Sequence, residues 1–517
     1  MSTNIRHIPI RSLGSSPVHL RYLDEDPDLE QFLGRRPRNP TDLLKRAPVN
    51  ARRLVSAGSL SDALTAYAET HEAPPEALAN AAAIAEGDAH MVVTGQQPGL
   101  FGGPLYTVFK AATAVRLARE INATPGSPRT VPIFWNHTDD HDLEEVNRAF
   151  FINNNLEVQR LRLDVRRDGE AIRDIGVGHN MEHVLAAVGD MLPRSDFREA
   201  ALEIFRPRQP DEQLGSSLAR LLFSMFGRHG LLVIEPRDLP EEAFSMLPRW
   251  WEQASEIQAS NKSTIEVLVE LGLDTGLDPS ATLMFQKQGG RRAAMAAGDP
   301  VNEPCDLSPG VLLRPLWQDA CLPTLSTVVG PGELSYLSVA GPLYRQLGVP
   351  APVLAPRASL TLVEPSLARL LKRFGWDIPD LDAGPETLAA SITSDGSSGD
   401  ESGLEGLIGE VKDQMQLLIA AINAGDPQMV RTVERTKGKV HDELSKLLNK
   451  LRNSRQNKEG TGMRQIRRVT NSLRPKGRPQ ERILTVLPFL AAHGPKLADL
   501  LVDAADPFTT GHGVLEL

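Results

Sequence analysis

Apolar residues along this chain recur in two rhythms. Short runs are apolar at nearly every position: Met91-Val92-Val93-Thr94, Val131 to Trp135, Leu231-Leu232-Val233-Ile234, Thr282 to Phe285, Val311 to Leu313, Leu325 to Val329 and Pro352 to Ala355. These predict short buried strands. Between them, apolar residues return every three or four positions. Leu105, Val108, Phe109, Ala112 and Val115 predict a helix from Leu105 to Glu120. Ser216 to Phe226 reads as another, with Ser216 as its N-cap. A long helical stretch spans roughly residues 241–271, broken near Pro248. Residues 1 to about 90 read as mainly helical after a Pro/Arg-rich start, with an Ala-rich stretch from Pro75 to Ala89. Strands and helices in alternation predict a mostly parallel, Rossmann-like α/β sheet with helices on both faces. Ligands in such folds sit at the carboxyl ends of the strands.

The pattern changes at residues 391–403, a run of Ser, Gly, Asp and Glu that predicts a polar linker. Beyond it, Leu404, Ile408, Val411, Met415, Leu418 and Ile422 step by four and three. After Gly425-Asp426-Pro427 the same stepping resumes through Val433, Lys437, Val440, Leu444, Leu447 and Leu451. Two such segments joined by a turn predict an antiparallel coiled-coil hairpin. The expected organisation is therefore an α/β core over 1–390 with helical insertions, a linker over 391–403, and a coiled coil with a basic segment over 404–482. Residues 483–517 should pack back on the core.

Length and composition narrow the class. The chain has 517 residues, 41% hydrophobic and 24% charged, as in a soluble globular protein of two or three domains. A net charge of −10 argues against a general nucleic-acid binder. No apolar stretch is long enough to span a membrane, and the N-terminus lacks a signal peptide's apolar region, so a cytoplasmic location is expected. Cys305 and Cys321 are the two cysteines, which excludes a disulfide framework. Residues 431–482 carry 16 Lys and Arg against 5 Asp and Glu, a basic segment in an acidic protein. A solvated helix face or a phosphate-bearing ligand would account for it.

Three polar clusters follow strands. The first is Gly95-Gln96-Gln97-Pro98-Gly99-Leu100-Phe101-Gly102-Gly103-Pro104. Its glycines permit close approach to a ligand, and a helix starting near Pro104 would offer free N–H groups to an anion. It matches neither the Walker A spacing nor the dinucleotide fingerprint. A tight structural turn would explain the glycines but not the paired glutamines. The second cluster is Asn136-His137-Thr138-Asp139-Asp140-His141-Asp142, then Glu144-Glu145. Asp140, His141 and Asp142 could supply acid/base chemistry or metal ligands. Asp142 and Glu145 also fit the N-cap and third position of a short helix. The third cluster holds Arg314 and Arg357, each able to grip a carboxylate or phosphate bidentately, and Glu333, able to hold an ammonium group.

With these motifs the chain resembles the bacillithiol synthase family, the cysteine ligases of bacillithiol biosynthesis. The matching stretches are Thr94-Gly95-Gln96-Gln97 through Tyr106-Thr107, Pro132 to Trp135 through Asp140-His141-Asp142, and Leu313-Arg314-Pro315 through Gln318-Asp319. Pro475 to Arg482 and Leu487-Pro488-Phe489-Leu490 complete the set, in the same order over nearly the whole chain. The family more often has Glu at Asp139, Asn at Gly310 and Tyr at Trp317.

The resemblance implies a Rossmann-like core with a C-terminal coiled coil that supports a homodimer. It implies amide formation between L-cysteine and glucosaminyl-malate, with ATP or ADP as the nucleotide; no metal is assigned. It places Asp140, His141 and Asp142 in catalysis. Substrate contacts fall to Gly95, Gln96, Gln97, Gly99, Gly102 and Tyr106, and to Trp135, Arg314, Gln318, Glu333, Tyr336 and Arg357. Lys476, Arg478, Gln480 and Arg482 would hold the nucleotide. Neither cysteine adjoins a histidine that would activate it, so neither is expected as nucleophile. Two other readings stay open: an adenylate-forming ligase or nucleotidyltransferase acting on another amine, and a non-catalytic coiled-coil scaffold.

Overall fold

The computed structural model describes residues 4–49, 54–153, 155–165, 169–393, 399–423 and 427–517. The chain divides into two compact units, Met1–Pro365 with Arg478–Leu517, and Ser366–Gly477. The divisions thus fall at 365/366 and 477/478 rather than at 390 and 482.

The first unit is built on five parallel strands: β1 (His90–Gln96), β2 (Thr130–Asn136), β3 (Leu232–Ile234), β4 (Thr324–Val329) and β5 (Val353–Pro356). Their spatial order is β5-β4-β1-β2-β3. Helix α1 (Tyr106–Asn122) carries the chain from β1 to β2, and α2 (Leu214–Phe226) precedes β3. Helix α3 (Arg314–Cys321) precedes β4, and α4 (Pro331–Gln346) joins β4 to β5. The order reverses between β1 and β4, and a crevice at that switch point is where doubly wound sheets bind ligands.

Helix α1 is buried on every side from Thr107 to Val115. Ala114, Leu117 and Ile121 pack on Val92 and Val328 of the sheet, while Val108, Phe109 and Ala112 belong to the main core. The N-terminal region supplies short helices started by the same device. Ser16, Asp26 and Asn39 cap helices Pro17–Leu23, Pro27–Leu33 and Pro40–Arg46, each with Pro in its first turn. A second sheet pairs Ile5–Pro9 antiparallel with Gly511–Glu516, and that strand parallel with Leu360–Val363.

Several boundaries differ from the sequence reading. Thr282–Phe285 does not join the parallel sheet. The strand there is Met284–Gln288, in an antiparallel sheet with Arg291–Ala294 and Leu307–Pro309. Gly289 and Gly290, at φ +56° and +81°, close its hairpin in the left-handed conformation that such tight turns require. Val311–Leu313 is a turn leading into α3, because Arg314 N bonds Gly310 O (2.9 Å) and commits the chain to helix. Ser216 lies inside α2 rather than capping it. The 241–271 stretch breaks at Gln253, between helices Leu247–Glu252 and Ala254–Glu270, and Pro248 sits harmlessly in the first turn of the former. Pro104 forms an isolated bridge with Thr485 instead of opening α1.

The second unit includes helix Pro385–Thr393, α5 (Gly399–Asn423) and α6 (Pro427–Leu473). Of the expected linker, residues 391–393 end one helix and 399–403 begin the next, while 394–398 lie outside the described residues. Gly425 and Asp426 of the expected turn also lie outside them. Helices α5 and α6 pack together, with Lys437 Nζ donating to Gln416 Oε1 across the pair. The half-buried seam runs Leu404, Ile408, Val411, Met415, Ile419 and Ile422, facing Val433, Lys437, Val440, Leu444 and Leu448. Leu418 and Leu447, expected in the seam, are exposed instead. Each helix takes a second step of four where the sequence reading took three, which tracks the 3.6-residue turn of a straight helix. Burial at Leu451 lies outside the described positions. No helix among the described residues is long and apolar enough to cross a membrane.

Candidate active site

The carboxyl ends of β1, β2 and β4 open onto a cavity of about 510 Å³. Gly95, Gln96 and Gln97 line it from β1 and its exit. Trp135, His137, Asp139, Asp140, His141 and Glu145 line it from β2 and the loop beyond. Arg314 and Trp317 come from α3, Glu333 and Tyr336 from α4, and Phe285 and Arg292 from the antiparallel hairpin.

The loop after β2 is fixed from behind. Glu235, at the end of β3, is fully buried. Its carboxylate accepts from Thr138 Oγ1 (2.8 Å), Tyr67 OH (2.9 Å) and Asn136 Nδ2 (3.3 Å). Burial pushes that carboxyl up, and Arg237 at 3.3 Å opposes the shift. His137 N donates to Gln96 O (3.0 Å), extending the sheet by one bond.

Two polar chains cross the cavity floor. In one, Lys110 Nζ contacts Glu333 Oε2 (2.5 Å), Gly95 O (2.7 Å) and Gln96 Oε1 (3.2 Å). Glu333 also accepts from Gly330 N (2.7 Å) and Tyr336 OH (3.3 Å). Arg314 Nη2 donates to Tyr336 OH (2.9 Å), and its Nη1 lies 3.0 Å from the His137 ring nitrogens. Burial, then the Arg314 charge, holds His137 well below the ordinary histidine range, so its ring is neutral. In the other chain, Asp140 accepts from Gln97 Nε2 (2.6 Å) and His141 N (2.7 Å) and lies 3.6 Å from Arg292. Arg292 stacks on Phe285 at 3.8 Å and reaches His141 Nδ1 (3.1 Å), Ser308 Oγ (2.7 Å) and Pro309 O (3.1 Å). Asp140 is held below the carboxylate norm against the desolvation that would raise it, chiefly by Arg292. Asp139 pairs with Arg173 at 2.5 Å.

The structure brings together Gly95, Gln96, Gln97, Trp135, Asp140, His141, Arg314, Glu333 and Tyr336 from the sequence-based set. The others lie elsewhere. Asp142 caps the helix Leu143–Val146, its Oδ1 accepting from Glu145 N (3.2 Å). The glycine loop splits in two: Gly99 and Gly102 do not line the cavity. A Cβ on Gly99 would meet Gly103 Cα at 2.6 Å, and one on Gly102 would meet Leu221 at 2.4 Å, so these glycines serve packing. Between them Phe101 is buried edge-on to Phe151 and Phe205. The start of α1 is no open anion cradle, because Leu105 N bonds Leu484 O (2.8 Å). Tyr106 lies under Arg357, 5.7 Å from its guanidinium. Gln318 is buried, donating to Asp319 Oδ1 (3.2 Å).

Arg357 is already occupied. It pairs bidentately with Glu481 (2.6 and 3.0 Å), both side chains 4% exposed. Glu333, expected to hold a substrate ammonium, holds that of Lys110. Gln480 spends its amide on the backbone of Leu362, accepting from N (2.8 Å) and donating to O (3.0 Å). Arg478 and Arg482 are exposed on the first unit, and Lys476 belongs to the second. Cys321 is buried and its thiol pushed far up by burial; Cys305 is exposed and does not line this cavity. Among the described residues no three His, Cys, Asp or Glu are grouped to hold a metal ion.

Lys110 and Arg292 were missed by the sequence reading. Lys110 carried a signal: it sits in a helix apolar on every side, where a charge is buried and needs a partner. For Arg292 the signal was the Gly289-Gly290 hairpin turn. Gly310, where the family more often has Asn, lines the cavity with no room for a side chain, since a Cβ there would meet Thr282 O at 2.0 Å.

Comparison with known families agrees with this architecture. The model described as "Bacillithiol biosynthesis BshC, N-terminal Rossmann-like domain" matches residues 3–301 and 299–358. The corresponding "C-terminal coiled-coil domain" model matches residues 360–517. A protein of Koribacter versatilis, described as "Putative cysteine ligase BshC", is 31% identical over 481 residues, 86% of this chain and 87% of its own. The protein of Salinibacter ruber with the same description is 30% identical over 458 residues, 83% of each chain. That of Symbiobacterium thermophilum is 29% identical over 490 residues, 86% of this chain and 87% of its own.

Proposed function

Because the chain belongs to the BshC family of bacillithiol biosynthesis, we propose that it is a ligase joining the carboxyl of L-cysteine to the amine of glucosaminyl-malate. Arg314 carries the reading. Among the described residues it has no carboxylate ion-pair partner, only the neutral His137 ring and Tyr336 OH. A guanidinium so placed at a cavity that fits a small ligand is available to a substrate carboxylate, such as those of malate. The half-buried ring of Tyr336 beside it suits the apolar face of a sugar, with Trp135 and Trp317 packed behind the cavity wall. Asp140 and His141, tied to Arg292, orient the bound amine.

A carboxylate is a poor electrophile, and a nucleoside triphosphate would supply its activation. Arg478 and Arg482 fit a phosphate group: both are exposed, and Arg482 lies within the field of the like charges of Arg357 and Arg478. Gln480 does not fit, since its amide is spent. The helical unit serves as a dimer interface in this reading. Exposed Leu407, Leu417, Leu418 and Leu447 lie off the α5/α6 seam and need cover. Sedimentation of the full chain should give a dimer; a monomer at micromolar concentration would refute that part.

The test of the activity is incubation with cysteine, glucosaminyl-malate and ATP, with mass detection. The expected product is the amide with its thiol free. Failure with this amine but success with another would favour the alternative ligase. No product with any amine would refute ligase activity. Replacement of Arg314 by Met should raise the KM for the malate-bearing substrate at least about tenfold, since charged hydrogen bonds contribute roughly 1.5–3 kcal/mol. An unchanged KM would remove Arg314 from substrate binding.

A further inference from the structure

We propose that Glu145 is the group that takes the proton from the attacking amine, an assignment that rests on the ligase reading above. An amine arrives as an ammonium ion and attacks only after losing a proton. The cavity offers few groups able to receive it. Asp140 already accepts from Gln97 and His141 and lies beside Arg292, which together reduce its basicity. Asp139 is tied to Arg173 and Glu333 to Lys110. The His137 and His141 rings each face a guanidinium that cannot give up its charge.

Glu145 differs from all of these. It lines the cavity and is exposed at its mouth. Among the described residues no cation forms an ion pair with it. Asp142 caps the short helix Leu143–Val146 through Glu145 N, but Glu145 does not return the bond to complete a capping box. Its carboxylate is therefore not tied to the helix end. The Gln97 side chain that holds Asp140 also reaches Glu145. Partial burial, then the negative charges of Asp142 and Asp140, raise its carboxyl above the ordinary range, while Gln97 and Arg148 act the other way. A carboxylate lining the cavity, made more basic by partial burial and like charge and without an ion-pair partner among the described residues, is suited both to attract an ammonium and to deprotonate it. The step balances: carboxylate and ammonium become carboxylic acid and amine, and the lone pair stays on nitrogen.

The experiment compares wild type, Glu145→Gln and Glu145→Asp in single-turnover amide formation across about pH 5 to 9, alongside calorimetric binding of glucosaminyl-malate. Removing a general base should slow Glu145→Gln by about 10²–10⁴-fold. Glu145→Asp should recover part of the rate. The wild-type rate should rise as Glu145 loses its proton, and that limb should vanish in Glu145→Gln. A Glu145→Gln rate within about threefold of wild type with the same pH profile overturns the assignment. If the wild type forms no amide, the ligase reading fails by itself. Binding then decides on Glu145: weaker amine binding by Glu145→Gln supports a role at the amine, and equal affinity overturns it.

Discussion

Arg357→Met should destabilise the first unit by about 3–5 kcal/mol, because it strands the Glu481 carboxylate in a dry interior. The pair is 4% exposed on both sides and joined by two hydrogen bonds. Glu481 is held below the ordinary carboxylate range, against its burial, mainly by this arginine. The same carboxylate accepts from Leu360 N (3.0 Å) and Ser359 Oγ (3.2 Å), so it anchors the start of strand Leu360–Val363. Adding Glu481→Gln should recover much of the loss, since a neutral amide still accepts from Leu360 N and no longer leaves a bare charge. Tryptophan fluorescence during denaturation reads this well, because Trp135, Trp250, Trp251 and Trp317 all belong to the first unit. If Arg357→Met keeps its stability and loses substrate affinity instead, Arg357 is a binding residue after all.

The second large effect is expected at Gly95. A Cβ there would lie 2.6 Å from both His137 Nε2 and Trp135 O. Gly95→Ala must push the His137 ring away, and with it Arg314 and the Tyr336–Glu333 chain. A displacement of about 1 Å in a site of this kind costs on the order of 10²-fold in rate. Overpacking adds about 1–3 kcal/mol of destabilisation. Gly99→Ala is the control. Its Cβ would strike Gly103 Cα at 2.6 Å, away from the cavity. It should lower stability while leaving the rate per folded molecule within about threefold of wild type. Equal kinetic losses in the two variants would mean that the split of the glycine loop has no functional meaning. Rates normalised to the folded fraction by circular dichroism make the comparison.

What could be read from the residues follows the range of the forces involved. The parallel core was legible because strands buried on both faces are apolar throughout, as in Val131–Trp135. The ends of β1 and β2 were enough to bring Gln96, Gln97 and Asp140 together, whereas Arg314, read as following a strand, reaches the cavity from the start of helix α3. The hairpin of α5 and α6 was legible from apolar spacing, but Leu418 and Leu447 were misplaced by one position because 3-4 stepping drifts against a real helix. Long-range pairing was invisible. Nothing near Arg357 in sequence announces Glu481, more than a hundred residues away, and nothing near Glu333 announces Lys110. An isolated Arg or Glu therefore read as free to bind substrate when the fold had already given it a partner. Glu145 shows the reverse: local capping logic assigned it a structural bond, and the tertiary arrangement released it.

The Gln480–Leu362 clasp also governs how the chain tolerates change in length. It ties together the two points where the first unit gives way to the second and resumes, independently of what lies between. Closing a flexible loop costs free energy only logarithmically in its length, about 0.6 kcal/mol per doubling. The arms of α5 and α6 can therefore grow or shrink by whole turns over generations with little penalty to the α/β core. The clasp frees the helical arms to drift in reach while the crevice at the strand ends keeps its dimensions.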